Sequence, residues 1–488
     1  MTYPTTPLLL AALLAAAFAL PAQAAPVALK KHVLLVSIDG MHAQDLENFI
    51  AHEPQSTLAK LAKQGVRYSQ ARTTAPSDSF PGTLALITGG TPRSTGVYYD
   101  DVYDRALSDA ASNCAKRGTK VVLDEAADRN ADLLDGGGLN PDALPRDPDH
   151  GCQMVWPHEF VRVNNAFSVV HAAHGLTAWA DKHPAYDLVR GPDGNGVDEL
   201  YTPEVTAKGA DQTLEGTKGN DELRVKAVLR QIDGLNAVGQ KIGMPNLFGM
   251  NFQALSAAQK LPGNGYKDAQ ATPSAGMLDA LHYVDGALGR VVAELKKQHH
   301  DRDTMLVIAA KHGQAPIDPA LRRIVDKKLI GKTIDQVAPG LVAYTTLDDI
   351  ALVWLTDASK QADAAHALEA KRDELGITEV IYGEALAKQF PAPANDSRVP
   401  DLIVRTQPGV IYSKPSATKL AEHGGLSDDD RHVALLVVSP ANKTKTHIVD
   451  STVETRQVAP TMLQFLGLDP AALEAMKVEP TTALPGVR

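Results

Sequence analysis

Only two cysteines, Cys114 and Cys152, occur in the 488 residues, and their spacing fits neither a CxxC redox pair nor a zinc knuckle. Beyond the N-terminal region no stretch approaches the roughly 18 continuous apolar residues that a membrane-spanning helix needs. Positive charge is not in excess either. Against 48 Lys+Arg stand 58 Asp+Glu, for a net charge of −10 and a pI near 5.9. That balance argues against a general binder of duplex nucleic acid or of anionic membranes. An anionic substrate would have to be held by a local positive feature. Internal repeats and low-complexity tracts are also missing, and the surface pattern sets no oligomeric state. The length suffices for one large domain or for two to three ordinary ones, with a core that needs no staples.

What is present begins with an apolar run from Leu8 to Leu20, followed by Ala22-Gln23-Ala24, a small-x-small cleavage pattern. Residues 1–24 therefore read as a secretory signal cut after Ala24, although no Lys or Arg precedes the run. An uncleaved anchor is the alternative. The expected location is periplasmic or secreted, with no transmembrane anchor after cleavage. In an oxidising compartment Cys114 and Cys152 can form one disulfide across a polar, Gly-, Asp- and Asn-rich segment, contributing about 3–4 kcal/mol in the chain-entropy model. Two unpaired thiols are the other possibility.

Apolar, β-branched runs alternate with longer amphipathic stretches: 32–40, 246–253, 304–313, 350–356, 401–406 and 432–439. This alternation predicts an α/β fold with a mostly parallel sheet covered by helices. A helix is predicted over 273–298, with Met277, Leu281, Val284, Leu288, Val291 and Leu295 on one stripe and lysines at its C-terminal end. Residues 100–245 are loop-heavy and read largely as insertions over the strand ends.

Chemistry is expected at the carboxyl ends of the strands, where open α/β sheets bind ligands. The run VLLVSIDG ends in Asp39-Gly40, a carboxylate suited to a metal or to general-base work, or an ordinary Asp-Gly turn. Ser79 precedes Phe80-Pro81-Gly82 and a short predicted helix. It is either a hydroxyl beside free N–H donors, where phosphate binds, or an N-cap. Lys311-His312-Gly313 breaks the run that starts at Thr304, and His423 sits in a Gly-rich loop before the last buried run. Each histidine alone is as readily structural. Asp181-Lys182-His183 marks another candidate strand end that could add a second cation or a ligand. Asn251 and Gln253 alternate on one strand face and could hydrogen-bond an anion. Asp100, Asp101 and Asp104 read as an acidic solvated turn, with a calcium site as the alternative.

In this order (strand-Asp-Gly, Ser-Phe-Pro before a helix and a Tyr-Asp pair, strand-x-His-Gly, His-Gly-Gly) the chain resembles the type I phosphodiesterase and nucleotide pyrophosphatase branch of the alkaline phosphatase superfamily. GTPRSTGVYYDDVYD, RVPDLIVRTQPGVIY and VETRQVAPTMLQFLGLDP extend the resemblance over most of residues 25–488. It implies an alkaline phosphatase-like three-layer α/β/α sandwich with loop-rich insertions. The implied substrate is a small-molecule phosphate mono- or diester, nucleotide-like esters among them. Family members use two zinc ions and a hydroxyl nucleophile. By resemblance Asp39, Ser79 and His312 fall on positions of the nucleophile-side metal, and His423 on a position of the other.

Three departures stand out. The aspartate that usually precedes the histidine is Lys311. The family's Asp-x-x-x-His falls on Leu255 and Gln259 in an ungapped placement, or on Ser256 and Lys260 in the alternative one. Gly82 replaces the asparagine that commonly follows Phe-Pro. A catalytic zinc keeps about three protein ligands, so the expectation is one divalent ion, zinc by family, or fewer, rather than two. Ser79 and Lys311 are then the expected catalytic residues, with Gly82, Asn251, Gln253 and Gln259 around the substrate. Lys311 either supplies the positive charge of a missing metal or acts as a neutral amine. Hydrolysis of a sulfate or phosphonate ester, and binding without turnover, are the competing readings.

Overall fold

The computed structural model describes Met1, residues 29–442 and residues 447–487; the rest of the expected signal segment lies outside them. An eight-stranded central sheet is built from β1 (His32–Ile38), β2 (Val66–Tyr68), β3 (Thr177–Ala180), β4 (Glu199–Tyr201), β5 (Leu247–Phe252), β6 (Thr304–Ala309), β7 (Leu435–Val438) and β8 (His447–Val449). Their order is β8-β2-β7-β6-β1-β5-β3-β4. The five neighbours β6, β1, β5, β3 and β4 run parallel, and β7 pairs antiparallel with β6 and with β2. β1 lies at the centre. Every residue of β1, β5 and β6 is buried, because both faces of a parallel sheet are covered.

The pleat divides those side chains between two cores. Val33 and Leu35 face one side, with Phe80 and Leu84 of the helix Ser79–Thr88 (α1) and Met462 of a late helix. Leu34, Val36 and Ile38 face the other, against Met277, Leu281 and Val284 of the helix Ala275–Lys297 (α2). All six residues of the stripe predicted on that helix are buried. Helices on both faces of the sheet make the three-layer α/β/α sandwich.

Two differences from the sequence reading concern organisation. The runs at 350–356 and 401–406 do not enter the central sheet. They form Ile350–Leu355 and Leu402–Thr406 of a separate antiparallel four-stranded sheet with its own apolar core. Periodicity marks a buried strand but not its partner. Residues 100–245, expected largely as insertions, carry β3, β4 and the 19-residue helix Leu214–Ile232 as well as a small four-stranded sheet over Asp101–Met154. β3 and β4 are short, and polar stretches surround them, which hid them from a periodicity argument.

Cys114 and Cys152 are joined in a disulfide that ties down this small sheet. With a sequence separation of 38 between the partners, the chain-entropy model gives it about 4 kcal/mol. Replacing both cysteines with serine is expected to lower the free energy of unfolding by up to that amount in denaturant titration, and an unchanged midpoint would show that the cross-link constrains nothing.

Candidate active site

Four parallel strands deliver polar residues to one edge. β1 ends in Asp39, β6 runs on into Lys311 and His312, β5 supplies Asn251 and is followed by Gln253, and β3 is followed by Asp181 and Lys182. Ser79 is the first residue of α1, and His423 comes in on a loop. Asp39, Ser79, Lys182, Lys311, His312 and His423 are all buried.

The centre is the Asp39 carboxylate. Lys311 Nζ stands 3.3 Å from Oδ1, and Lys182 Nζ 3.4 Å from Oδ2. The Asn251 amide donates to Oδ2 at 3.1 Å. Burial alone would raise the Asp39 pKa. Lys311, Lys182 and His312 outweigh burial and hold it below the usual carboxylate range. Lys182 also donates to Gln253 Oε1 at 3.0 Å. Burial disfavours its charge, but Asp39 and Asp181 raise its pKa overall. At Lys311 burial prevails, against Asp39, and the pKa is lowered.

Ser79 Oγ lies 3.3 Å from His312 Nε2, and His312 Nδ1 lies 2.8 Å from the Gly313 carbonyl. A carbonyl can only accept, so Nδ1 carries the proton and Nε2 presents its lone pair to the serine. Burial first, then Lys311, pushes the His312 pKa down to about 3, and burial with His312 keeps His423 neutral as well. The two imidazole rings are 4.0 Å apart, and His423 Nδ1 is 3.6 Å from Asp78 Oδ1.

Several expectations are corrected here. Asp78, not Ser79, caps α1: its carboxylate accepts from Phe80 N–H at 3.1 Å. Residue 81 is a proline without an N–H, so the helix start offers little to a phosphate. Gly82 packs against the Lys311 backbone. A β-carbon there would lie 2.0 Å from the Lys311 carbonyl oxygen, so glycine is what lets α1 approach the loop after β6. The Gln259 amide donates to the Gly40 carbonyl and the Tyr266 hydroxyl, and Leu255 is buried in the core. The strand-to-helix turn lies at Gln253, and Leu255, Ser256, Gln259 and Lys260 all lie on the helix Ala254–Lys260 that follows it, with no carboxylate or imidazole among them. Asn251 donates to Asp39, and Gln253 accepts from Lys182. Asp104 is buried against Arg398, and Asp101 accepts from the Tyr344 hydroxyl, so neither belongs to a solvated turn.

Sequence reasoning missed Tyr186. Its hydroxyl accepts from Lys311, its ring stacks on Phe80 at 4.6 Å, and nothing in PAYD signals either contact.

The donors do not suit two metal ions. Both Asp39 oxygens already face ammonium groups, and an ion between Asp39, Ser79 and His312 would lie against Lys311. On the other side stand His423 and Asp78, whose carboxylate already caps α1. Among the described residues, the one group of three His, Cys, Asp or Glu side chains close enough together to hold a metal is His32, His300 and Asp303. It lies at the amino ends of β1 and β6, across the sheet from Ser79.

A hydroxyl on the first turn of a helix, set beside a strand-end carboxylate on this sheet, defines a hydrolase of the alkaline phosphatase-like fold. Alkaline phosphatase PafA aligns with a TM-score of 0.65 over 92% of this chain and 97% of its own, at 12% identity. Murine ectonucleotide pyrophosphatase/phosphodiesterase 5 aligns at 0.61 over 90% and 96%, at 15% identity. At such identities the likeness is one of fold. Residues 33–428 match the type I phosphodiesterase/nucleotide pyrophosphatase family, and the chain belongs to it. The bis(5'-adenosyl)-triphosphatase enpp4 of Xenopus laevis is 20% identical over 443 residues, covering 89% of this chain and 78% of that protein. No helix of the described residues is long and apolar enough to cross a membrane.

Around the site the carboxyls split into two groups. Burial raises Asp78 and Asp101 to about 6 and Asp348 to about 7, whereas lysine neighbours hold Glu422 down at about 2 against burial. The raised groups keep protons that the unfolded chain has released, so their stabilisation is lost as pH rises from about 4 through 7. The contribution of Glu422 is present above about pH 4.5 and lost in acid. Buried neutral His312 acts in the opposite sense, its contribution growing as pH rises toward 6.5. Relative to wild type, Asp348→Asn should therefore gain stability between pH 5 and pH 8, because it lacks the ionisation that burial penalises. Urea titrations of both proteins at the two pH values test this, and an unchanged difference between them would contradict it.

Proposed function

We infer that the protein is an exported hydrolase of phosphate mono- or diesters with Ser79 as its nucleophile. The observation that carries this reading is the Ser79–His312 pair, in which a fixed imidazole lone pair faces the serine hydroxyl. As Oγ attacks phosphorus in line, its proton passes to His312 Nε2. The ester oxygen departs and takes up a proton from solvent, which leaves a phosphoseryl intermediate. Water then attacks that phosphorus and loses a proton to solvent, while the imidazolium returns its proton to the departing Ser79 Oγ.

Lys311 supplies positive charge beside the reacting oxygens. The reading takes one divalent ion or none, on Asp39, Ser79, His312 and His423. Family membership supports the ester class. The names of the Xenopus and murine relatives make a nucleotide-like diester the first substrate to try. The disulfide and the N-terminal apolar run with its Ala22-Gln23-Ala24 pattern support export.

Ser79→Ala is expected to lower kcat on a chromogenic phosphodiester by roughly a thousandfold or more, while the affinity for inorganic phosphate stays within a few-fold of wild type. Retained turnover would remove Ser79 from the nucleophile's role.

A further inference from the structure

We propose that Lys182 and Lys311 together form a two-ammonium anion site that takes the place of the family's two metal ions. This rests on the hydrolase reading and deepens it. It also adds Lys182 as a group that touches the transferred phosphoryl oxygens.

The lysines reach the site from two different strand ends, β3 and β6, and flank one carboxylate. Each ammonium has three N–H donors. Lys182 places one on Gln253 and one toward Asp39, and Lys311 places one on Tyr186 and one toward Asp39. The Asp39 contacts, at 3.4 and 3.3 Å, are long for a charge-assisted bond, which runs nearer 2.8 Å. Asp39 Oδ1 has no hydrogen-bond partner at all. One donor on each buried ammonium is therefore unspent. An unpaired buried donor is costly, and an oxyanion is the ligand whose lone pairs would satisfy both at once.

The surroundings favour the same occupant. The helix start is capped by Asp78, so amide donors cannot carry the load there. Asp181, the nearest further carboxylate, is occupied by the Trp179 indole N–H and the Lys182 backbone N–H. Two ammonium groups flank the one Asp39 carboxylate, so an entering phosphate meets spare donors between them. A divalent ion, by contrast, would have to displace an ammonium to reach Asp39.

The test uses the chain after exhaustive chelation, with metal content measured, and inorganic phosphate and orthovanadate as calorimetric probes. Wild type is expected to bind both without added metal. Lys182→Met should weaken binding at least tenfold, and Lys182→Arg should restore part of it. Ser79→Ala should bind phosphate like wild type although turnover is lost. The inference is overturned if phosphate binds only once zinc is supplied, or if Lys182→Met binds as tightly as wild type. Should Lys182→Met fail to fold, the metal-free binding of wild type decides alone. Activity persisting in Ser79→Ala would defeat the nucleophile and leave the lysine site standing.

Discussion

The structure depends on a carboxylate at the end of its central strand. Asp39 has no exposure to solvent, and a charge so placed is tolerated only with partners of opposite sign and good geometry. Two ammonium groups and an amide supply them, and each comes from a different element. β1 can therefore end where it does only if β6, β5 and β3 end level with it, and the parallel register of these strands achieves this. Removing one member of such a buried cluster typically costs about 3–5 kcal/mol, because the charge left behind is uncompensated. Fold and site are thus coupled through one ion cluster.

Helix α1 is fitted to the same cluster. Gly82 lets it approach the Lys311 backbone, and the Thr73 hydroxyl donates to the Lys311 carbonyl, so the loop after β6 is held from two sides. Phe80 then stacks on Tyr186, which receives the Lys311 ammonium. The serine, the lysine and the tyrosine are positioned by one packed contact rather than by three independent loops.

Much of this was legible in the chain. β1, β5, β6 and the long helix follow from apolar runs and a 3.6-residue period. Asp39, Ser79, His312 and His423 were marked by their order and by their places at strand ends. What the chain did not reveal was adjacency. Lys182 stood out only as one polar residue among several, because nothing in a periodic pattern says that β3 lies two strands from β1. The start of the helix that carries Leu255 and Gln259 is not marked either, because MNFQALSAAQ stays largely apolar across the strand-to-helix turn, with no Gly or Pro there. Tyr186 and Asp78 gained meaning only from what packs against them.

Exchanging metal ions for lysines changes the demands on the rest of the site. An ammonium offers hydrogen-bonding charge to an oxyanion but no coordination position, so it cannot hold a water and lower its pKa as zinc does. Proton transfer therefore falls to side chains already within reach. His312 and His423 answer that need in one respect, since burial keeps both neutral and their lone pairs available. The same burial makes them weak bases, so their effect must come from position, with the proton moving only as charge develops on the attacking oxygen. A lysine-built centre of this kind would trade the intrinsic reactivity of a metal-bound hydroxide for a preorganised field in a dry site, and the buried ion cluster around Asp39 is what such a field requires.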